Sequence, residues 1–380
     1  MDNSATSYPK PSQVIRQVRR GLTHCFANPG RGTSRDSLRS SDLLYGARES
    51  LAELVGTVPE NVIFTYNATY ALNMALQGVI KKGMTVAYES FAHNSVLRPL
   101  YALEKKGVKT ELLETDLLRD SVIISSFERL VASKKVDVLV VTHTSNVTGK
   151  RLPIKQLSKI CRENGVLLIV DASQGIGSSP INMEKLGIDI LASSGHKGLY
   201  GIMGTGFMAI RSGADFEITP QITGGSGIFS LRKEMPPDLP ERLEAGTVGL
   251  PGIISMKAGA EYLMREGVDE IGWYEHVLRA RLINGLGNIR GVRLYNADVN
   301  ASSIVLFNLA NTPSSVLADK LDREGVAVRA GYHCAPLVHS IIQNGNEAYD
   351  GAVRLSVGYF NTDIECDKVI KIINKLSKES

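Results

Sequence analysis

No run of about 18 or more apolar residues occurs in the 380-residue chain, so no transmembrane helix is expected. Cysteine is scarce. The four, Cys25, Cys161, Cys334 and Cys366, lack paired or metal-ligand spacing, which points to free thiols in a reducing compartment and to no metal centre. Excess charge is also small, with 43 Lys and Arg against 39 Asp and Glu, a net +4. No basic run is dense enough for nucleic acid. The pairs Lys81-Lys82, Lys105-Lys106 and Lys134-Lys135 fall near expected helix ends, where cations complement the dipole. The first residues, Met1-Asp2-Asn3-Ser4-Ala5-Thr6, have neither a basic start nor an apolar signal core. The expectation is a soluble cytoplasmic protein. What is present is 43% hydrophobic residues, enough for one large core and a smaller second one.

Apolar runs and amphipathic segments alternate along the chain. Pro9 and Pro11 make residues 1–12 an arm rather than a helix. Ser12 caps a helix over 13–22, and a second helix over 40–54 puts Leu43, Leu44, Ala47, Leu51 and Leu54 on one face. Strand 62–66, Asn67-Ala68-Thr69 and helix 70–80 follow. Next come strand 85–88, the turn reaching His93 and a helix to 106, then strand 136–141 running into Thr142 to Asn146 and helix 153–164. Strand 166–170 ends at Asp171. Strand 188–192 runs into Ser193-Ser194-Gly195-His196-Lys197-Gly198, before strand 207–210. Such alternation predicts a mostly parallel sheet with helices on both faces, binding its ligand at the carboxyl ends of the strands. Asn67, Thr69, His93, Asn146, Asp171 and Lys197 all fall at or just past those ends.

Lys197, in a glycine-flanked turn between two buried strands, suits a Schiff base with a carbonyl. A carboxylate such as Asp171 suits the ring nitrogen of pyridoxal phosphate (PLP). Taken singly, Lys197 also reads as a loop lysine and Asp171 as a turn cap; their convergence along one sheet edge favours the cofactor. The polar start of the helix after Asn67 serves equally as an N-cap or as a phosphate site.

Beyond Ile210 the pattern loosens. The stretch through Gly224-Gly225-Ser226-Gly227 and Met235-Pro236-Pro237-Asp238-Leu239-Pro240 has the length of a functional or mobile loop. A helical region over 252–287 and a domain boundary near 250 are expected. A smaller α/β domain follows, with strands 292–295, 303–307, 326–329 and 353–357 and helices 313–324 and 363–377. Cys161 and Cys366 fit helical cores. Cys334 lies in the loop Arg329 to Pro336, beside His333 and near Arg329, where cations would favour the thiolate. It reads as a nucleophile or as an inert loop cysteine. Arg354 reads as a surface strand arginine or as a grip for a substrate carboxylate.

Together these residues resemble the class V branch of fold type I PLP enzymes, in particular the group II cysteine desulfurases and selenocysteine lyases. The resemblance spans the chain. It runs through Asp2 to Pro11, Ser145-Asn146-Val147-Thr148-Gly149, Asp171-Ala172-Ser173-Gln174, Ser194-Gly195-His196-Lys197, Glu244-Ala245-Gly246-Thr247, Arg329 to Cys334 and Tyr359-Phe360-Asn361-Thr362. It implies an α/β architecture: an arm (1–12), a large PLP-binding domain (13–250) with a mostly parallel sheet flanked by helices, and a small C-terminal α/β domain (251–380) carrying the cysteine loop. It implies a PLP-dependent cysteine desulfurase that converts L-cysteine to L-alanine and leaves a persulfide on the enzyme. The alternative is another class V enzyme (a selenocysteine lyase, aminotransferase, epimerase or β-lyase) in which Cys334 is not catalytic.

By the same resemblance Lys197 forms the Schiff base and Asp171 holds the pyridine nitrogen. Gln174 and Asn146 contact the ring-oxygen region, and His93 stacks on the ring. Ala68, Thr69, Ser194 and His196 hold the phosphate, with Thr247 reaching it from a second subunit of a homodimer. Arg354 and Asn146 bind the substrate, L-cysteine or L-selenocysteine; Cys334 takes the sulfur and passes it to an acceptor protein. In three places the chain departs from the family. Asn67 stands where glycine is frequent, so a left-handed backbone is expected there. Tyr332 stands where histidine is frequent, and the loop after Cys334 is one residue shorter.

Overall fold

Buried strands with alternating faces build the larger of two sheets. The computed structural model describes residues 1–379 except 25, 26, 30, 31, 33, 215, 302 and 344–349; the expectation for Cys25 therefore lies outside the described residues. After the arm come α1 (Ser12–His24) and α2 (Arg35–Val55). Helix α2 starts earlier than its leucines suggest, because the Ser34 hydroxyl accepts the Ser37 N–H at 3.2 Å and caps it there.

Next in order are β1 (Val62–Thr65), α3 (Ala68–Val79), β2 (Thr85–Tyr88), α4 (Asn94–Glu104), β3 (Lys109–Leu112) and α5 (Asp120–Ser133). They lead to β4 (Val138–Thr142), α6 (Ile154–Asn164), β5 (Leu167–Asp171), the one-turn α7 (Met183–Leu186), β6 (Ile190–Ser194) and β7 (Gly206–Ile210). These strands form one seven-stranded sheet in the order β1-β7-β6-β5-β4-β2-β3. Only β7 runs against its neighbours.

The sheet is buried on both faces, as parallel sheets are. Successive residues alternate between two apolar layers: Leu139 and Val141 face one, Val138 and Val140 the other. Strand β3 and helix α5 were not expected. β3 is a half-exposed edge strand, Lys-Thr-Glu-Leu, without an apolar run, and α5 buries only Ile123, Ser126 and Phe127.

Residues 211–249 hold no helix or strand among those described. The single helical region expected next is two helices, α8 (Leu250–Glu266) and α9 (Val268–Gly287), separated at Gly267 where φ is 87°. α8 packs on α1 and α2, whereas α9 packs on the C-terminal helix. Two close approaches position the site. A Cβ on Gly259 of α8 would lie 1.8 Å from the Leu199 carbonyl oxygen, and one on Gly198 would lie 2.0 Å from the Ile176 oxygen. The turn after Lys197 is thus clamped from both sides, at contacts only glycine permits.

The second sheet contains β8 (Val292–Leu294), β9 (Ile304–Leu309), β10 (Arg329–Gly331) and β11 (Ala352–Ser356), antiparallel in the order β10-β11-β9-β8. Helices α10 (Ser314–Arg323), α11 (Pro336–Gln343) and α12 (Asp363–Ser377) complete it. The strand expected over 326–329 instead occupies Arg329–Gly331, and the unexpected helix α11 begins at Pro336, the last residue of the expected loop. Cys366 is buried in the core of this sheet, and Cys161 in that of the larger one.

Candidate active site

The carboxyl ends of β1, β2, β4, β5 and β6 open onto one pocket of about 530 Å³. It brings together Ala68, Thr69, His93, Asn146, Asp171, Gln174, Ser194, His196 and Lys197, which are separated by up to 129 positions in sequence. The parallel strands cause this, since each delivers its following turn to the same edge.

Lys197 is half-buried on the pocket wall. Desolvation lowers its pKa to about 8; the charges of Arg354 and Arg329 act in the same direction, and Asp171 and Cys334 oppose them. Asp171 closes β5 and accepts the Ser173 N–H at 3.0 Å. His93 caps α4 by accepting the Ser95 N–H at its Nδ1, 3.0 Å away, which places the proton of the neutral ring on Nε2. Burial holds its pKa down to about 4. The Ser95 hydroxyl then meets Thr69 Oγ1 at 2.8 Å, joining α4 to α3.

Asn67 corrects one expectation. Its φ is −176°, extended rather than left-handed, and its side chain accepts the Tyr70 N–H at 2.9 Å. The residue is an N-cap, and it leaves the N–H groups of Ala68 and Thr69 without intrahelical acceptors at the mouth of the pocket. Cap and anion site therefore coexist. Gln174 lines the pocket, but its amide nitrogen donates to the Ser4 carbonyl at 2.9 Å.

Cys334 sits between β10 and α11. Arg329 donates from Nη2 to its sulfur at 3.1 Å. His333 does not supply a second cation there. It is 2% exposed, its ring stacks on His339, and burial followed by the Arg354 charge drives its pKa down to about 2. Both His333 and Cys334 adopt positive φ, 53° and 61°. Non-glycine residues there cost on the order of 1–3 kcal/mol each. The conformation is held by its carbonyls: Asn146 Nδ2 donates to His333 O at 2.6 Å, and the Asn94 N–H of α4 donates to Cys334 O at 2.8 Å. Arg354, 1% exposed on β11, donates to the Asn146 carbonyl at 2.7 Å. Asn146 therefore joins the pocket to both the cysteine loop and the arginine.

Thr247 is not brought to this pocket. It lies in a separate cleft with Tyr66 and Tyr70, where Asn28 donates to its hydroxyl at 3.4 Å. Glu244 anchors that segment through a buried ion pair with Arg48 at 2.6 Å and by accepting the Phe64 N–H, also at 2.6 Å.

Sequence reading missed Ser95, Thr142, Thr144 and Ser173, which also line the pocket. Each lies within four residues of a strand-end residue singled out from the sequence. Glu89 was missed as well. It is fully buried beyond β2, accepts the Thr142 N–H at 3.0 Å, and burial raises its pKa to about 7.

Five buried polar atoms on the pocket wall have no partner: Thr142 Oγ1, Asn146 Oδ1, Ser173 Oγ, Ser194 Oγ and His196 Nδ1. Buried polar atoms are ordinarily paired, so their convergence with a free helix N-terminus and a desolvated lysine fits a polar, phosphorylated ligand. The architecture is that of the fold type I PLP enzymes. The chain belongs to the aminotransferase class-V family, whose model matches residues 1–369.

Among its relatives are two described as probable cysteine desulfurases. The one from Pyrococcus abyssi is 31% identical over 99% of this chain and 94% of its own length. The one from Methanothermobacter thermautotrophicus is 29% identical over 96% and 91%. The apo structure of the cysteine desulfurase from Thermococcus onnurineus NA1 superposes with a TM-score of 0.89 at 30% identity, covering 100% of this chain and 94% of that one.

Proposed function

We propose that this chain is a PLP-dependent cysteine desulfurase, converting L-cysteine to L-alanine and retaining the sulfur as a persulfide on Cys334. The observation that carries this reading is the Cys334 loop. A strained cysteine faces an arginine donor, and the carbonyls of His333 and Cys334 are tied to Asn146 and to the start of α4, both at the pocket of Lys197. A reading in which Cys334 is a bystander leaves that strain without use.

In this proposal Lys197 holds PLP covalently and Asp171 faces its ring nitrogen, with His93 on the ring face. Asn146 and Gln174 lie by the ring oxygen. Ala68, Thr69, Ser194 and His196 take the phosphate, and Thr247 reaches it from a partner copy. The position of Thr247 away from the pocket of its own chain supports a homodimer with shared sites. Bound PLP supplies an electron sink for the pair left when the Cα proton departs. Arg354 pairs with the substrate carboxylate and fixes its orientation. Lys197 Nζ, its basicity lowered by burial, takes the Cα proton. Cys334 Sγ attacks the substrate sulfur as the carbon–sulfur bond breaks. Release to an acceptor protein in the cytoplasm would complete the cycle. Among the described residues no helix is long and apolar enough to cross a membrane, and Cys161, Cys334 and Cys366 are free thiols.

The test is alanine and persulfide formation by the PLP-loaded protein given L-cysteine, with L-selenocysteine alongside. Alanine with no protein-bound persulfide would overturn the role of Cys334. A pH dependence accompanies it. Only neutral Lys197 attacks an aldehyde, so PLP uptake by the cofactor-free enzyme is expected to quicken about tenfold per pH unit and level off near pH 8. A rate still climbing towards 10.5, the ordinary lysine value, would show that Lys197 is not desolvated.

A further inference from the structure

The amino-terminal arm is bound at both ends to the machinery described above. At one end, Asp2 bridges to Ser356 of β11, Asn3 N donates to the Ser356 carbonyl at 3.2 Å, and Ser4 N donates to the Ser356 hydroxyl at 2.9 Å. The Asn3 side chain donates to Asn361 Oδ1 at 3.0 Å, and it packs where a Cβ on Gly358 would lie 2.8 Å from it. At the other end, the Ser7 hydroxyl donates to the Lys197 carbonyl at 2.8 Å, and Lys10 Nζ donates to the His196 carbonyl at 2.7 Å. Between these anchors, Asp2 Oδ1 accepts from Arg354 Nη2 at 2.8 Å, a contact 352 positions apart in sequence. The arginine is 1% exposed and the aspartate 24%. Arg354 Nη1 is held by Asn146 O, and Nε is buried without a partner.

We infer that Asp2 is a positioning residue for substrate recognition: it holds the Arg354 guanidinium so that its unpaired Nε edge is presented to the carboxylate of the amino-acid substrate. The inference rests on the reading of Arg354 given above. A carboxylate against a carboxylate-binding arginine has two possible uses, a fixed strut or a plug that substrate displaces. The geometry favours the strut. The backbone on either side of Asp2 is stitched to β11, which holds its carboxylate in place. An arginine with two of its three guanidinium nitrogens already engaged is oriented before substrate arrives, so less freedom is lost on binding.

The test uses the PLP-loaded enzyme and two readouts, steady-state kinetics with L-cysteine and a spectral titration with L-alanine. Asp2→Asn is expected to raise KM and the L-alanine Kd together, by about tenfold, with kcat within about threefold of wild type. Asp2→Glu should recover most of the loss. Ser356→Ala loosens the arm while keeping the carboxylate, and should move both constants the same way by a smaller factor. It also keeps the question open to test should Asp2→Asn fold poorly. A fall in KM for Asp2→Asn would make Asp2 a plug and overturn the inference. So would an unchanged KM beside a raised KM in Arg354→Lys, which leaves the role of Arg354 standing. An unchanged KM in Arg354→Lys would remove that role, and the inference with it.

Discussion

Cys334→Ala is expected to abolish alanine formation from L-cysteine, by on the order of 10³-fold or more, while the protein keeps its PLP absorbance. The cysteine lies outside the set of residues lining the Lys197 pocket; its carbonyl accepts the Asn94 N–H, and the neighbouring His333 carbonyl accepts from Asn146. Removing its sulfur therefore leaves the Lys197 pocket intact and removes only the group proposed to accept sulfur from the substrate. The substitution keeps the Cβ and hence the left-handed strain at φ 61°, so the fold should survive. Mass spectrometry of the wild type after L-cysteine should find a persulfide on Cys334 and none on Cys161 or Cys366, whose thiols burial raises above the ordinary value. A variant that still produces alanine at a comparable rate would return Cys334 to the rank of loop cysteine.

Lys197→Ala is expected to lose turnover by on the order of 10⁴-fold and to lose the borohydride-fixed attachment of PLP. It carries a second signature that does not depend on activity. In the cofactor-free wild type the native state holds Lys197 at a pKa of about 8, against 10.5 for an ordinary lysine. Between those values the unfolded chain binds a proton that the native state does not, so stability rises with pH across that window. The gain is fully present above 10.5 and lost as pH falls through about 8. Lys197→Ala removes this slope, and urea titrations at several pH values across the window would measure the difference. Equal slopes in the two proteins would mean that the native lysine is solvated.

Most of the large sheet and its site could be read from local pattern. The runs ending at Asp171 and Ser194 are buried on both faces, which forces continuous apolar sequence, and the polar residue that follows each run stands out against it. The same logic failed at β3, an edge strand with little to bury, and at α11. There Val338 and Ile342, four positions apart and both buried, are the helical signal, in a stretch just past the expected loop to which no element is assigned.

By itself, then, the sequence determined the alternating architecture, the strand-end cluster around Lys197 and Asp171, and the candidacy of Cys334 and Arg354. Each of these rests on short-range periodicity or on adjacent residue types. Only the tertiary structure decided what stands next to them. It chose Arg329 over His333 as the partner of Cys334, made Asn67 an extended cap, placed Glu89 beneath Thr142 and set Asp2 against Arg354. The last two join residues 53 and 352 positions apart, which carry no local pattern that foretells their meeting, and the first two depend on how the chain turns at a strand end and a helix start.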